Sequence, residues 1–123
     1  MNSKVFMVIR ILLGLFVLFF GLNKFIPMLD MGEPTGDVAT YFGALSSTKT
    51  LTLVAIVEIL AGVALIFNKF GALMAIILMS VSVNALMFHV TLDPANSAGA
   101  IALLVLNIIV LIGYKDKYNE LLS

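Results

Sequence analysis

The chain has no cysteine and no tryptophan, and only 11% of its 123 residues carry a charge. Without cysteine it can form no disulfide, no thiol redox centre and no thiolate metal site. Its 7 lysines and arginines balance its 7 aspartates and glutamates, so it lacks the basic field that binds nucleic-acid phosphates. These absences argue against a nucleic acid as partner and leave a redox role only through a bound organic cofactor.

Hydrophobic residues, by contrast, make up 62% of the chain. A soluble domain holds about 45–50% apolar and about 25% charged residues, because water has to wet its surface. This chain cannot cover its own surface with polar groups, so a lipid bilayer must cover it instead. Its length allows one domain. We therefore predict an all-α membrane protein that forms a single domain over residues 1–123.

Four apolar runs predict transmembrane helices, each of which needs about 20 mostly apolar residues to cross the hydrocarbon core. The predicted spans are residues 5–26, 51–67, 71–90 and 95–114. The first run follows Lys4, as the apolar part of a signal peptide follows a cation, but no small-residue cleavage site comes after it. The predicted fold is a four-transmembrane-helix bundle.

Two short connections contribute to this prediction. Asn68 and Lys69 leave room only for a tight turn, so the second and third spans are expected to be antiparallel neighbours. Asp93 and Pro94 are typical of a helix start, because the carboxylate can cap the helix and proline at its first position loses no needed hydrogen bond. The fourth span is therefore expected to begin here.

The long connection, residues 27–50, contains a predicted short helix over residues 38–45, with Asp37 as its cap. Tyr41 and Phe42 lie in this helix, and aromatic residues favour the membrane interface. We interpret the segment as a short interfacial helix between helices 1 and 2, over the mouth of the bundle. An irregular loop is the alternative.

The placement of lysine and arginine predicts the orientation, because cytoplasmic loops carry an excess of both. One side of the predicted bundle holds most of the cations: Lys4, Arg10, Lys69, Lys115 and Lys117. The other side holds the remaining cations and the acidic residues of the loops: Lys24, Lys49, Asp30, Glu33, Asp37 and Asp93. We therefore expect both termini in the cytoplasm and the long connection outside.

Polar and ionisable residues within spans are costly, which makes them functional candidates. They are Arg10, Asn23, Lys24, Glu58, Asn84, His89 and Asn107. At about 1.5 Å of rise per residue, Glu58, Asn84 and Asn107 lie roughly 9–14 Å below the outer ends of their helices. Three helices thus offer one polar group each to a common layer, with Lys24 and His89 above it.

Helical spacing also predicts which way these side chains face. On the first span, one stripe combines cations with small residues: Arg10, Gly14, Val17, Gly21 and Lys24. On the second span, Glu58 shares its face with Ala61 and Gly62. Small residues let helices approach closely, so both faces are expected to point inward. On the third span, Asn84 and His89 lie about 140° apart and cannot both point at the centre.

Several of these residues also have purely structural interpretations. Asn84 and Asn107 can hydrogen-bond a neighbouring helix, and Lys24 can snorkel to the outer headgroups. Arg10 can do the same on the inner side, and either Arg10 or Lys24 can pair with Glu58. Glu58 is the hardest to explain in this way, because an unpaired charge at that depth is too costly. It handles protons, pairs with a cation or donates a hydrogen bond to a ligand.

The sequence contains no pattern of a catalytic or metal site. There is no nucleophile beside a base and no phosphate-binding glycine loop. His89 is the only histidine, and one histidine alone cannot build a haem or zinc site. Near a helix end it is commonly an interfacial hydrogen-bonding residue. We expect no catalytic residue and no metal in this chain.

Six segments, in order along the chain, carry a family resemblance. They are Arg10 to Gly14 (RILLG), Gly21, Lys24-Phe25, Val38 to Leu45 (VATYFGAL), Val57 to Gly62 (VEILAG) and Phe88-His89. Together they resemble the DoxX family of small bacterial membrane proteins. The resemblance implies a four-helix bundle in the bacterial cytoplasmic (inner) membrane. Relatives include subunits of thiosulfate:quinone oxidoreductase systems, proteins of oxidative-stress or quinone-detoxification pathways, and assembly or cargo factors.

The leading functional hypothesis is a membrane component of a redox or oxidative-stress system that binds a quinone or a similar apolar ligand. The predicted pocket, with its aromatic roof, consists of Lys24, Glu58, Asn84, His89, Tyr41 and Phe42. These groups could hydrogen-bond quinone carbonyls and pass protons. Arg10 and Asn107 are expected to make polar helix contacts. The expected protein partner is a redox protein that supplies electrons, or a second copy of the chain.

Two other functions stay open from the sequence. One is a non-enzymatic membrane partner or assembly protein, in which the polar layer only sets the helix register. The other is a small proton-coupled exporter, a class of four-helix dimers with one buried glutamate. That class carries its glutamate in the first span, whereas Glu58 lies in the second.

Overall fold

The computed structural model describes residues 1–28 and 32–123, and the regular structure in those residues is all helical. The α-helices are α1 (Ser3–Phe25), α2 (Gly36–Ser47), α3 (Thr50–Phe67), α4 (Gly71–Leu92) and α5 (Ala98–Gly113). Short 3₁₀ turns follow α4 at Pro94–Asn96 and α5 at Lys115–Tyr118. The all-α prediction is confirmed. Asp30, one of the acidic residues assigned to the outer side, lies outside the described residues.

Three helices, α1, α3 and α4, are long and apolar enough to cross a membrane. Their bounds agree closely with the first three predicted spans. α5 is apolar but has only 16 residues. At about 1.5 Å per residue it is shorter than the roughly 30 Å hydrocarbon core. The described residues thus form three helices of spanning length and one shorter apolar helix.

The start of α5 corrects the prediction for the Asp93-Pro94 dipeptide. Pro94 begins a 3₁₀ turn, and α5 begins only at Ala98, with Ser97 at its N-cap. The Asp93 carboxylate accepts hydrogen bonds from the Asn96 side-chain amide, at 3.0 and 3.1 Å, and caps no helix. Proline lacks a backbone N–H and has a fixed φ, which suits a 3₁₀ turn as well as the first turn of an α-helix.

The helices α1, α3, α4 and α5 form a ring: α1 packs against α3 and α5, and α4 packs against the same two helices. α1 and α3 are antiparallel, since Arg10 lies against Leu65 while Gly21 lies against Ala55. The loop end is the end where α1 and α4 finish, α3 and α5 begin, and α2 lies. The turn end is the opposite end, which holds the α3–α4 turn and the residues after α5.

Glycines bring α1 and α3 into backbone contact. A Cβ atom added at Gly62 would lie 2.7 Å from the Leu18 Cβ and 2.8 Å from the Gly14 carbonyl oxygen. One added at Gly21 would lie 3.0 Å from the Glu58 Cβ. Larger residues at these positions would push the helices apart. The small-residue stripe therefore faces α3, as predicted, and sets the register between the two helices.

A left-handed turn joins α3 to α4. Asn68 and Phe70 adopt φ values of 54° and 59°, and the chain reverses between Phe67 and Gly71. The tight turn predicted for Asn68 and Lys69 is confirmed. The Tyr114 hydroxyl donates a hydrogen bond to Asn68 Oδ1 at 2.5 Å, which ties this turn to the end of α5.

α2 is longer than the helix predicted over residues 38–45, and Thr35, not Asp37, is its N-cap residue. Asp37 lies inside the first turn, where its negative charge is favourable beside the helix N-terminus. Residues on one face are half-buried: Val38, Ala39, Tyr41, Phe42 and Leu45. Because this spacing follows a helix face, α2 lies with its apolar side against the loop end, and the alternative of an irregular loop is wrong.

Candidate functional site

An ion pair joins α1 to α3 toward the loop end. Lys24 Nζ lies 2.6 Å from Glu58 Oε1 and 3.4 Å from the Phe20 carbonyl oxygen. The Glu58 side chain is only 5% exposed, whereas the Lys24 side chain is 25% exposed. Of the two cations considered as partners for Glu58 from the sequence, the structure pairs it with Lys24 and not with Arg10.

Two features of α1 position this pair. Gly21 lets α3 approach so closely that the Glu58 side chain starts beside the α1 backbone. Lys24 lies in the last turn of α1, where a cation is favourable near the helix C-terminus. An ammonium group has three N–H donors. Among the described residues, Glu58 and Phe20 accept from it, so a donor is left for the oxygen of a ligand.

A cluster of four rings, here called the aromatic cluster, lies where α2 meets the end of α4. The rings of Tyr41 and Phe88 are stacked, with centroids 4.7 Å apart and planes 15° apart. Phe42 packs edge-on against Phe88 at 5.1 Å, and His89 does so at 4.8 Å. Phe88 is only 7% exposed, because α2 covers it. The structure thus brings Tyr41, Phe42 and His89 together around Phe88.

The His89 imidazole is incompletely hydrogen-bonded. Its Nδ1 atom is buried and has no hydrogen-bond partner among the described residues. The nearest acid is Asp93, one helical turn along, whose Oδ2 atom lies 3.9 Å from Nδ1. That distance is too long for a hydrogen bond. A buried nitrogen without a partner is costly, so a molecule that bonds to it would be stabilised there.

Arg10 lies toward the turn end of α1. Its guanidinium donates to the carbonyl oxygens of Leu65 and Ile66 at the C-terminal end of α3, the latter at 3.2 Å. The last carbonyls of a helix lack partners within it and carry negative partial charge, so they suit a cation. Arg10 is 7% exposed, so it neither snorkels to the headgroups nor pairs with Glu58. It fastens α1 to α3.

Asn107 is fully buried between α5 and α4. Its amide donates to the Ala75 carbonyl oxygen at 3.0 Å, and its side-chain oxygen accepts from the Ser82 hydroxyl at 2.7 Å. These bonds satisfy the amide on both sides. Asn107 therefore has the environment of a helix-packing residue.

Asn84, predicted to line the pocket, makes no described contact with Lys24, Glu58 or the aromatic cluster. It is exposed, and its amide donates to the Ser80 carbonyl oxygen of its own helix at 2.6 Å. The reason is that α4 turns its other face, with the fully buried Ser82, toward α5. The depth of a residue along a helix does not determine which way its side chain faces.

Three residues organise the two ends although they were not among the predicted site residues. Phe88 is the centre of the aromatic cluster, and its position as an aromatic residue at the end of a span could have identified it. Tyr114 and Tyr118 close the turn end, where the Tyr118 hydroxyl donates to the Ala72 carbonyl oxygen at 2.7 Å. Their signal was similar, since tyrosine is enriched where a span meets the interface.

One match emerged from comparison with known proteins. The family model DoxX matches residues 5–91, well over half of the chain. The match runs from the start of α1 nearly to the end of α4, so it includes the Lys24–Glu58 pair, α2 and the aromatic cluster. It does not include α5. Searches among curated proteins and among solved structures gave no match.

Proposed function

The chain belongs to the DoxX family of membrane proteins, and we propose that it is a membrane component of a redox or oxidative-stress system that binds a quinone or a similar apolar ligand. We propose further that α5 also crosses the bacterial cytoplasmic membrane, so that the bundle has four spans. Both termini would then lie in the cytoplasm, and α2 would lie at the outer interface. The excess of lysine and arginine on the cytoplasmic side supports this orientation.

The Lys24–Glu58 pair is the observation that carries the proposal. Ionisable groups inside a span are costly and are kept where they work. This pair is not needed to set the helix register, because Gly14, Gly21 and Gly62 already bring α1 and α3 into contact. The pair is also open on one side, since a quarter of the Lys24 side chain is exposed. An ion pair that only set the register between α1 and α3 would not have to be exposed on one side.

The groups at the loop end fit the head of a quinone, which is a planar ring with carbonyl oxygens. Lys24 has a donor left for one oxygen, and the unpartnered Nδ1 atom of His89 can bond another. The aromatic cluster supplies an apolar surface for the ring of the quinone. The apolar tail of such a ligand would stay in the lipid. These residues would therefore hold the ring and leave the tail outside.

The residues also suit proton transfer at a ligand oxygen. Lys24 donates a hydrogen bond of 2.6 Å to Glu58, so an N–H donor and a carboxylate lie side by side where a bound group could exchange a proton. A bound quinone would supply the electron chemistry that the side chains of this chain lack. The electrons would come from a redox partner protein in the membrane or at its surface.

The test is a measurement of bound ligand in the protein taken gently from its native membrane. Co-purifying small molecules are identified by mass spectrometry, and quinone affinity is then measured in nanodiscs. We expect stoichiometric quinone in the unchanged protein. Glu58→Gln and Lys24→Met should each weaken binding about tenfold, equivalent to about 1.4 kcal/mol.

Asn84→Ala is the matched control, because Asn84 is a polar residue of a span that bonds only its own helix in the contacts described. It should leave quinone binding unchanged. If only bulk lipid is found, in equal amounts in all four proteins, the ligand-binding proposal is wrong. The non-enzymatic partner or assembly function would then replace it, and the ion pair would be a packing feature.

A further inference from the structure

The aromatic cluster carries a second inference, which rests on the proposed function and concerns how the ligand reaches its site. We propose that Phe88 is the platform on which the planar ring of the ligand lies, and that Tyr41 occupies this platform when no ligand is bound. The ligand would therefore compete with Tyr41, and α2 would have to move before the ring binds. Tyr41 is then an internal substitute for the ligand and not part of its roof.

The geometry of the Tyr41–Phe88 pair supports this substitution. Its rings lie nearly parallel, 15° apart, with centroids at 4.7 Å. Stacking of this kind is open to any planar ring of similar size, because it depends on the faces of the rings. Phe42 forms a T-shaped pair with Phe88, with centroids 5.1 Å apart. Tyr41 is therefore the ring of the aromatic cluster that stacks in parallel on Phe88, and it comes from a surface helix.

The polar group beside the platform also points to a ligand. His89 packs edge-on against Phe88 at 4.8 Å, and its buried Nδ1 atom has no hydrogen-bond partner among the described residues. Tyr41 covers the platform but leaves this nitrogen unsatisfied. A planar ring that bears an oxygen could both stack on Phe88 and bond His89. The site is therefore more complete with such a ring than with Tyr41.

α2 is built so that it can move as a unit. It has no fully buried residue, and the side-chain hydrogen bonds described for it stay within the helix and the turn that follows it. The chain takes left-handed backbone angles at the first residue of α2, with φ of 59° at Gly36, and just after the helix, with φ of 65° at Lys49. Its hold on the bundle is thus apolar and aromatic contact, which a competing ring can replace.

The first experiment tests, without any ligand, whether the contact of Tyr41 with Phe88 keeps α2 packed against the bundle. The chain contains no cysteine, so Leu45→Cys places a single thiol on the half-buried face of α2. Its labelling rate with a bulky maleimide is measured in nanodiscs. Adding Tyr41→Ala should speed labelling by about three- to tenfold, the range that the loss of one aromatic pair allows. Adding Thr40→Ala, on the exposed face, should change nothing.

The second experiment measures the affinity of a decyl-substituted benzoquinone in nanodiscs. Tyr41→Ala should bind it about three- to tenfold more tightly, because the platform is then vacant. Phe88→Leu, which keeps an apolar side chain there, should bind it more weakly. The two changes therefore have opposite signs. Weaker binding in both variants, binding in none of them, or unchanged labelling in the first experiment would overturn the inference.

Glu58→Gln separates this inference from the proposed function. If Tyr41→Ala tightens binding while Glu58→Gln has no effect, the platform is correct and the ion pair is not the anchor. If Glu58→Gln abolishes binding while Tyr41→Ala weakens it, the anchor is correct and Tyr41 belongs to the roof. Each result thus contradicts one of the two proposals and leaves the other standing.

Discussion

The two ends of the bundle differ in where their polar groups find partners. At the turn end, the Arg10 guanidinium donates to the carbonyls that end α3, and the Tyr118 hydroxyl donates to the Ala72 carbonyl oxygen, although the buried Arg10 Nε atom has no partner among the described residues. At the loop end, Lys24 keeps a donor in reserve and His89 Nδ1 has no partner among the described residues. Closed hydrogen bonds stabilise a fold, whereas open ones cost stability and can be used for binding.

The two cations of α1 show the same difference on one helix face. Arg10 is 7% exposed and donates its hydrogen bonds to backbone carbonyl oxygens, which cannot exchange a proton. Lys24 has a quarter of its side chain exposed and is held by a carboxylate, which can exchange a proton. One stripe of α1 thus carries a buried cation bonded to backbone carbonyls and a partly exposed cation paired with a carboxylate. The variants below test this division, from the largest expected effect to the smallest.

Replacing Arg10 should damage the fold most. Arg10→Met removes the donors to two carbonyls at the end of α3, and hydrogen bonds from a charged group contribute about 1.5–3 kcal/mol. We expect a loss of about 2–3 kcal/mol in the free energy of unfolding. Arg10→Lys should lose less, since lysine keeps the charge but not the planar fork. The measurement is unfolding in mixed detergent, followed by circular dichroism.

Lys4→Met is the control for this comparison, because Lys4 is an exposed cation of the same helix. It should leave the unfolding free energy unchanged within about 0.5 kcal/mol. Equal losses in Arg10→Met and Lys4→Met would mean that charge, and not the contact with α3, determines the result. The turn end would then not be the structural end.

Breaking the loop-end pair should cost less, and the cost should depend on which partner is removed. Lys24→Met leaves a nearly buried carboxylate without its cation, and we expect a loss of about 1–2 kcal/mol. Glu58→Gln keeps an oxygen that accepts from Lys24, so it should lose about 0.5 kcal/mol. The double variant gives the coupling between the two. A larger loss in Glu58→Gln than in Arg10→Met would reverse the comparison of the ends.

The facing of α1 and α3 could be predicted from the sequence, because helical periodicity and residue size were sufficient. The stripe from Arg10 to Lys24 and the small residues around Glu58 were predicted to face inward, and the structure packs them against each other at the α1–α3 interface. The turn at Asn68 followed from its length. Here local pattern and tertiary contact agree, so reasoning from spacing was correct.

Other features depend on contacts that spacing does not encode. Asn84 was predicted at the right depth, but α4 turns a different face inward. The Asp93-Pro94 dipeptide fits a 3₁₀ turn as well as a helix start, and the structure has the turn. The role of Phe88 depends on where α2 folds back, which no local signal specifies. The partner of Glu58 likewise became clear only once the helix offset was known.

Tyr118 should give the next smaller effect, and one that depends on pH. Burial, reinforced by the neighbouring Tyr114, raises the pKa of Tyr118 to about 12. The neutral phenol is thus favoured in the folded state, so its contribution is complete below pH 10 and is lost as pH rises from about 10 to about 12. Tyr118→Phe should lose about 1 kcal/mol at neutral pH, through the bond to Ala72.

The pH profile separates that bond from simple packing. In unfolding experiments from pH 9 to 12, stability should fall more steeply in the unchanged protein than in Tyr118→Phe. Near the top of that range the order should reverse, with Tyr118→Phe the more stable protein, because ionising the buried Tyr118 costs more than its hydrogen bond contributes. Parallel profiles would show that the Tyr118 hydroxyl is not buried at the turn end. The closed character of that end would then depend on Arg10 and on the Tyr114–Asn68 hydrogen bond.

His89 should give the smallest effect on stability and the clearest separation between the ends. His89→Phe keeps an edge-on ring against Phe88 and removes the Nδ1 atom that lacks a partner. Since an unsatisfied buried polar atom is costly, the unfolding free energy should be unchanged or rise by up to about 0.5 kcal/mol. Quinone affinity in nanodiscs should fall about tenfold in the same variant, because the ligand loses a hydrogen bond. A residue whose removal stabilises the fold while weakening the ligand is held for binding, and no residue of the turn end should behave in this way. A clear loss of stability in His89→Phe would instead mean that the imidazole is bonded in the folded protein, and the loop end would be as closed as the turn end.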